Sequence, residues 1–112
     1  MVDSRAKGAR GERDVVDYLN ANGYPHAERR LSGAADDRGD IIGIPGVTIE
    51  VKARRAFEPA AWVDQLAEEM DNTPGEGTGF VIAKRRQRGD VADWYAITPV
   101  GLMLPLLKGA GW

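Results

Sequence analysis

From Arg5 to Asn22 the apolar positions return at helical spacing, with Val15, Val16 and Leu19 on one stripe. They predict a first helix, stopped by Asn22-Gly23 and then Pro25. The period then shortens to two. Ala27 to Leu31 reads as a strand, followed by a polar, glycine-containing loop from Ser32 to Gly39. Asp40 to Ile44 and Val47 to Ala53 read as two strands joined around Pro45-Gly46. Helical spacing resumes over Pro59 to Asp71, with Trp62, Leu66 and Met70 along one side, and a turn-rich connection spans Asn72 to Gly79. Thr78 to Lys84 and Ala92 to Ile97 read as strands flanking a basic tip, Arg85-Arg86-Gln87-Arg88-Gly89-Asp90. Thr98-Pro99 supplies a cap and first position for a last helix ending near Lys108, which Pro105 is placed to kink or shorten. The order α-β-β-β-α-β-β-α predicts an α/β fold, a mixed β-sheet flanked by helices, forming one domain over residues 1–112.

Side-chain alternation in Thr48 to Lys52 puts Glu50 and Lys52 on one face of the strand, with Ile49 and Val51 on the other. The connection before this strand then decides where Asp40 lies. A two-residue loop pairs Ile44 with Val47 and sends Asp40 opposite Val51, on the wrong face. A three-residue loop or a bulge shifts the pairing by one and brings Asp40 opposite Glu50 or Lys52. Gly46 can take the positive φ that such a connection requires, so an odd loop or bulge is expected.

Composition narrows the chemistry. The chain has 112 residues, 43% of them hydrophobic and 29% charged, which suits one modest core. Zero cysteines exclude disulfides, thiolate metal sites and cysteine nucleophiles, and the single histidine, His26, excludes a multi-histidine zinc site. No apolar run reaches membrane-spanning length and residues 1–10 carry no apolar signal region, so an intracellular protein without membrane contact is expected. The net charge of −2 is unevenly spread: between Glu58 and Glu76 lie six acids and no base, and the rest of the chain is net positive. Overall charge is therefore a poor guide to the partner.

Asp40, Glu50 and Lys52 form a constellation suited to holding a divalent cation against a phosphodiester. Carboxylate oxygens are the hard ligands that magnesium takes, the backbone carbonyl of Val51 can add another, and a lysine beside them can balance phosphate charge or orient water. The bland alternative for Glu50 and Lys52 is a surface ion pair of little worth. Glu12 falls three, four and seven positions before the apolar residues of the first helix, on their face, either joining this site or capping the first turn.

These residues together resemble the PD-(D/E)XK nuclease superfamily, most closely its archaeal and phage Holliday-junction resolvases. The resemblance runs over nearly the whole chain, from Lys7-Gly8-Ala9-Arg10-Gly11-Glu12-Arg13 through Tyr24, Glu28-Arg29-Arg30-Leu31 and Ser32-Gly33 to Glu50-Val51-Lys52. One departure is Arg38-Gly39-Asp40, where glycine stands in place of the proline of the superfamily name. The resemblance implies a restriction-endonuclease-like core, with Asp40 and Glu50 as ligands of Mg²⁺ (Mn²⁺ substituting) and Lys52 as the catalytic lysine. It also implies a further acidic contribution from Glu12, often through water, a site serine at Ser32, and a site glutamine at Gln65 on the second helix. The activity implied is metal-dependent, structure-selective cleavage of DNA, with four-way junctions as the leading substrate. A cytoplasmic setting in a prokaryote or phage-infected host goes with it.

Arg5, Lys7, Arg10 and Arg13 on the first helix suit phosphate contacts, as do Arg29, Arg30, Arg54 and Arg55 around the proposed site. Arg85, Arg86 and Arg88 form a second basic cluster, which a solvated turn would equally explain. Two symmetric cuts in a junction call for two active sites and hence a homodimer. Trp62, Trp94, Tyr95, Leu102, Leu104, Leu106, Leu107 and Trp112 are the apolar residues available for its surface. Other readings compete: a branched-DNA-binding module without turnover, a nuclease for flaps or plain duplex, and an interaction subunit docking through its acidic second helix.

Overall fold

A computed structural model describes residues 4–31, 38–75 and 77–112. The elements are helix α1 (Ser4–Ala21), strands β1 (Glu28–Arg29), β2 (Ile41–Ile42) and β3 (Val47–Lys52), helix α2 (Pro59–Asp71), strands β4 (Thr78–Ala83) and β5 (Tyr95–Ile97), and helix α3 (Val100–Gly109). The five strands form one mixed sheet in the order β1-β2-β3-β4-β5. β3 and β4 run parallel, with α2 as the crossover that a parallel pair needs, and the other pairs are antiparallel.

The alternation of β3 sorts the core into two layers. Ile49 and Val51 pack with Val15 of α1, and with Ala27, Ile41 and Trp94. On the opposite face, Glu50 and Lys52 neighbour Val81 and Ala83 of β4. Those two residues pack under Trp62 and Leu66 of α2. Gly11 lets α1 cross β3 closely, since a Cβ there would meet the Ala53 Cβ at 3.0 Å.

The β2–β3 hairpin has the odd connection expected. The Val47 amide donates to the Ile44 carbonyl at 3.1 Å across a Pro45-Gly46 turn, with Gly46 at φ 78°. Ile41 pairs with Ile49, so the β2 side carries one residue more than the β3 side, a bulge in the stretch where Gly43 takes φ 98°. Three expectations fare differently. Residues 91–93 form a 3₁₀ turn in place of the start of the last strand, because the Asp90 carboxylate accepts from the Ala92 amide at 3.0 Å and winds the chain before β5 begins. Thr98 does not cap α3: its hydroxyl donates to the Gly79 carbonyl at 2.7 Å, and Pro99 takes the cap position. Pro105 lies inside α3 without ending it, since the carbonyl it leaves without a partner, at exposed Gly101, can face water.

Among the described residues no helix is long and apolar enough to cross a membrane. α3 has no buried residue, and Val100, Met103, Leu104, Leu106 and Leu107 are all exposed. Trp62 and Trp94, considered above for an interface, are instead buried in the two core layers.

Candidate active site

The site forms where β2 ends and β3 continues. Just before the Ile41–Ile49 pair the regular ladder breaks: the Asp40 amide donates to the Ile49 carbonyl at 2.8 Å while the Asp40 carbonyl accepts from the Arg30 amide at 2.8 Å. The Asp40 carboxyl comes to lie beside that of Glu50. Beyond that point β3 has no strand partner on this side among the described residues. The Asp40 carboxylate takes over, with Oδ2 accepting from the Val51 amide at 2.8 Å. Because the amide and carbonyl of one strand residue point to the same side, the Val51 carbonyl also faces this open edge. Gly39 makes the approach possible. Its φ is +96°, and a Cβ there would come within 2.8 Å of the Ile49 carbonyl oxygen, so this backbone requires glycine.

On the α2 side a short polar chain fixes the remaining groups. The Lys52 ammonium donates to Gln65 Oε1 at 2.7 Å and lies 3.6 Å from Glu50 Oε1. Gln65 Nε2 in turn donates to the same Glu50 oxygen at 3.4 Å. Glu50 and Lys52 are both buried, at 5% and 8% exposure, so the surface-pair alternative does not describe them. Breaking one partner of such a buried pair leaves an uncompensated charge. Glu12 enters from α1, with Oε1 held by the Arg29 guanidinium at 3.0 Å.

The cluster is electrostatically crowded. Burial, then the charge of Glu50, pushes Asp40 up to about 7. Burial, followed by hydrogen bonding to the Glu69 carboxyl, pushes Glu50 up to about 8. Glu12 is raised too, by burial and then by Asp40, with Arg29 acting against both. Glu69, buried on α2 one turn after Gln65, is the residue that reading the sequence missed. Its signal was an acid within the Trp62-Leu66 stripe, four positions from Gln65, where solvent cannot serve it.

Glu12, Asp40, Glu50, Val51, Lys52 and Gln65 thus line one cavity of about 590 Å³, whose rim includes Lys7, Arg54 and Arg55. Arg85, Arg86 and Arg88 line a neighbouring cleft. Arg10 and Arg13 are exposed on α1, and Arg29 and Arg30 are half-buried beside β1. Ser32 lies outside the described residues, as does the side chain of Arg5.

Among the described residues no three acidic or histidine side chains converge as a ready-made metal cluster. The donor set nevertheless fits a magnesium-like ion. Two carboxylates and a strand carbonyl border one edge, and magnesium keeps several waters. Among the described residues no N–H donor reaches the buried Glu50 Oε2, and the crowding that raises both carboxyls would be relieved by a cation. Comparison of the sequence with protein-family models and with characterised proteins gave no match.

Proposed function

We propose that the protein is a metal-dependent, structure-selective DNA endonuclease with a restriction-endonuclease-like core, similar to the Holliday-junction resolvases of the PD-(D/E)XK superfamily. The observation that carries this reading is the register of the β2–β3 hairpin, which sets Asp40 beside Glu50 and Lys52 at an open strand edge.

A Mg²⁺ or Mn²⁺ ion bound by Asp40 and Glu50, with the Val51 carbonyl, would neutralise phosphate charge and acidify water. The chain's own residues do the rest. Lys52, held in place by Gln65 and Glu50, presents a positive charge to the phosphate as negative charge develops during hydrolysis. Gln65 orients both Lys52 and Glu50. Glu12, anchored by Arg29, sits within electrostatic reach of Asp40 and lies along the cavity, where it can accept a hydrogen bond from water. Lys7, Arg54 and Arg55 on the rim would contact phosphates flanking the scissile one.

Four-way junctions are the substrate that the resemblance favours. Two sites for their two cuts would come from a homodimer, for which the exposed apolar residues of α3 offer a surface. The test is cleavage of a labelled four-way junction beside a linear duplex of the same sequence, in Mg²⁺, in Ca²⁺ and with Glu50→Ala. Paired symmetric nicks that need Mg²⁺ and Glu50 are expected. Equal cutting of the duplex would remove junction selectivity and leave a nuclease. Tight binding without cutting in Mg²⁺ or Mn²⁺ would leave only a binding module.

A further inference from the structure

Next to the carboxylate cavity lies a second, larger cleft of about 740 Å³, and Lys7, Ala53, Arg54 and Arg55 border both. Its far wall is the tip between β4 and β5, which supplies Lys84, Arg85, Arg86 and Arg88, and among the described residues no acidic side chain lines it. The tip is built to hold its shape. The Trp94 indole donates to the Arg88 carbonyl at 2.9 Å, the Arg85 guanidinium donates to the Asp93 carbonyl at 3.3 Å, and Gln87 takes a left-handed φ of 59° to close the turn. A solvated turn needs none of these anchors.

The cleft also contains two aromatic rings that the core does not use. Phe57 and Tyr95 are 58% and 45% exposed, yet their positions are set. Phe57 packs edge-on against buried Trp62 at 5.3 Å and tilts against Tyr95 at 5.5 Å, while the Arg85 guanidinium lies 5.7 Å from the Tyr95 ring. Fixed, partly exposed aromatic rings beside arginines are the combination on which nucleic-acid bases stack while phosphates are neutralised alongside. Paired DNA cannot use such rings, because its bases already stack on one another and show only their edges.

We propose that this cleft binds unpaired nucleotides of the strand that enters the carboxylate cavity, with a base stacked on the Phe57–Tyr95 pair and its phosphates on Arg54, Arg55 and the tip arginines. The strand's passage into the carboxylate cavity rests on the nuclease reading; the stacking site itself does not. The shared wall favours a polyanion long enough to span both cavities over an acidic peptide confined to one. The site adds affinity wherever bases at a branch are unpaired, as in flaps, splayed forks or the opened crossover of a four-way junction.

The experiment compares a blunt duplex with the same duplex carrying a single-stranded tail that contains 2-aminopurine, in Ca²⁺ so that binding is read without cleavage. Tighter binding of the tailed DNA, with quenching of the aminopurine on stacking, is expected. Tyr95→Ala should abolish the quench and weaken tailed-DNA binding roughly tenfold, leaving blunt-duplex binding unchanged. Tyr95→Trp should restore both, which separates stacking from a folding defect. Equal affinity for the two DNAs, with Tyr95→Ala indifferent, would overturn the proposal even if Mg²⁺ then supports cleavage of the duplex. Failure to bind either DNA while polyglutamate is retained would also overturn it, in favour of an acidic protein partner. Tail binding with the quench but no cleavage in Mg²⁺ would support the stacking site and overturn the nuclease reading instead.

Discussion

The two neighbouring cavities share a wall and are built on opposite plans. In the carboxylate cavity the groups proposed for chemistry sit on regular elements or, for Asp40, directly against one, and Glu50 and Lys52 are buried and joined through Gln65. In the cationic cleft the charged groups, Lys7 of α1 apart, sit on the segment after β3 and on a hairpin tip, and most are exposed. Chemistry demands placement within fractions of an ångström, which strand and helix supply. Affinity for a polyanion demands charge and contact area, which loops supply and which tolerates small displacements. Substitutions in the first cavity should therefore act on turnover, and those in the second on binding.

The sharpest way to break this division is Glu50→Ala. Loss of a metal-holding carboxylate should lower cleavage by about 10²- to 10³-fold, since several kcal/mol of charge stabilisation go with the metal. DNA affinity measured in Ca²⁺ should fall far less. A variant that loses binding and turnover in equal measure would show that Glu50 is holding DNA or the fold, and the contrast between cavities would collapse. Glu50→Gln, which keeps volume and hydrogen bonding, separates those two possibilities.

The complementary break is Arg54→Ala combined with Arg86→Ala, one residue from each wall of the cleft. Removing two arginines that each neutralise a phosphate should reduce the slope of log affinity against log salt by about 2, roughly 1 for each, weakening binding without regard to sequence. Cleavage at saturating DNA should change little. An unchanged salt slope would assign these arginines to a merely solvated surface.

What could be read from the sequence follows the same division. Glu50 and Lys52 were legible because strand alternation is a strict period of two. Asp40 was legible as a condition, since an odd loop or a bulge in the hairpin decides which face it joins, and the extra residue between Ile41 and Ile44 met that condition. Glu69 was not legible as a site residue, because an acid in an apolar stripe looks the same whether it lies at the helix edge or beneath another carboxyl. The Phe57–Tyr95 pair was hidden for a different reason. One residue follows β3 and the other opens β5, and only the tertiary fold, with the 3₁₀ turn that shortens β5, brings their rings to 5.5 Å. Periodicity exposes what lies on one element and is blind to the packing of one loop against another.

Gln65 tests how finely the carboxylate cavity is tuned. It touches Lys52 at 2.7 Å and Glu50 at 3.4 Å, so it acts through both. Gln65→Ala should reduce turnover by roughly tenfold, the worth of about one hydrogen bond to a charged group. Because Lys52 is buried, the loss should appear in the rate at saturating DNA and not in affinity. Rescue by Gln65→Glu is not expected, since a further carboxylate would add to the crowding around Glu50.

The smallest effect concerns pH, and it follows from that crowding. Asp40 and Glu50 rise from ordinary values of 3.8 and 4.5 to about 7 and about 8 in the folded chain. Between the ordinary and the raised values the folded chain keeps protons that the unfolded chain has released. These two groups therefore oppose unfolding most strongly in acid, and their contribution declines as pH climbs from about 4 toward 8. A divalent cation competes with those protons, so its stabilisation should grow over the same range as the carboxyls lose them. Thermal unfolding followed with and without Mg²⁺ should show a melting-temperature increment that widens by a few degrees from about pH 6 to about pH 8.5. Glu50→Gln should flatten that widening, whereas substitutions at Arg86 or Tyr95 should leave it intact. An increment independent of pH, or one that persists in Glu50→Gln, would place the ion away from this pair of carboxylates.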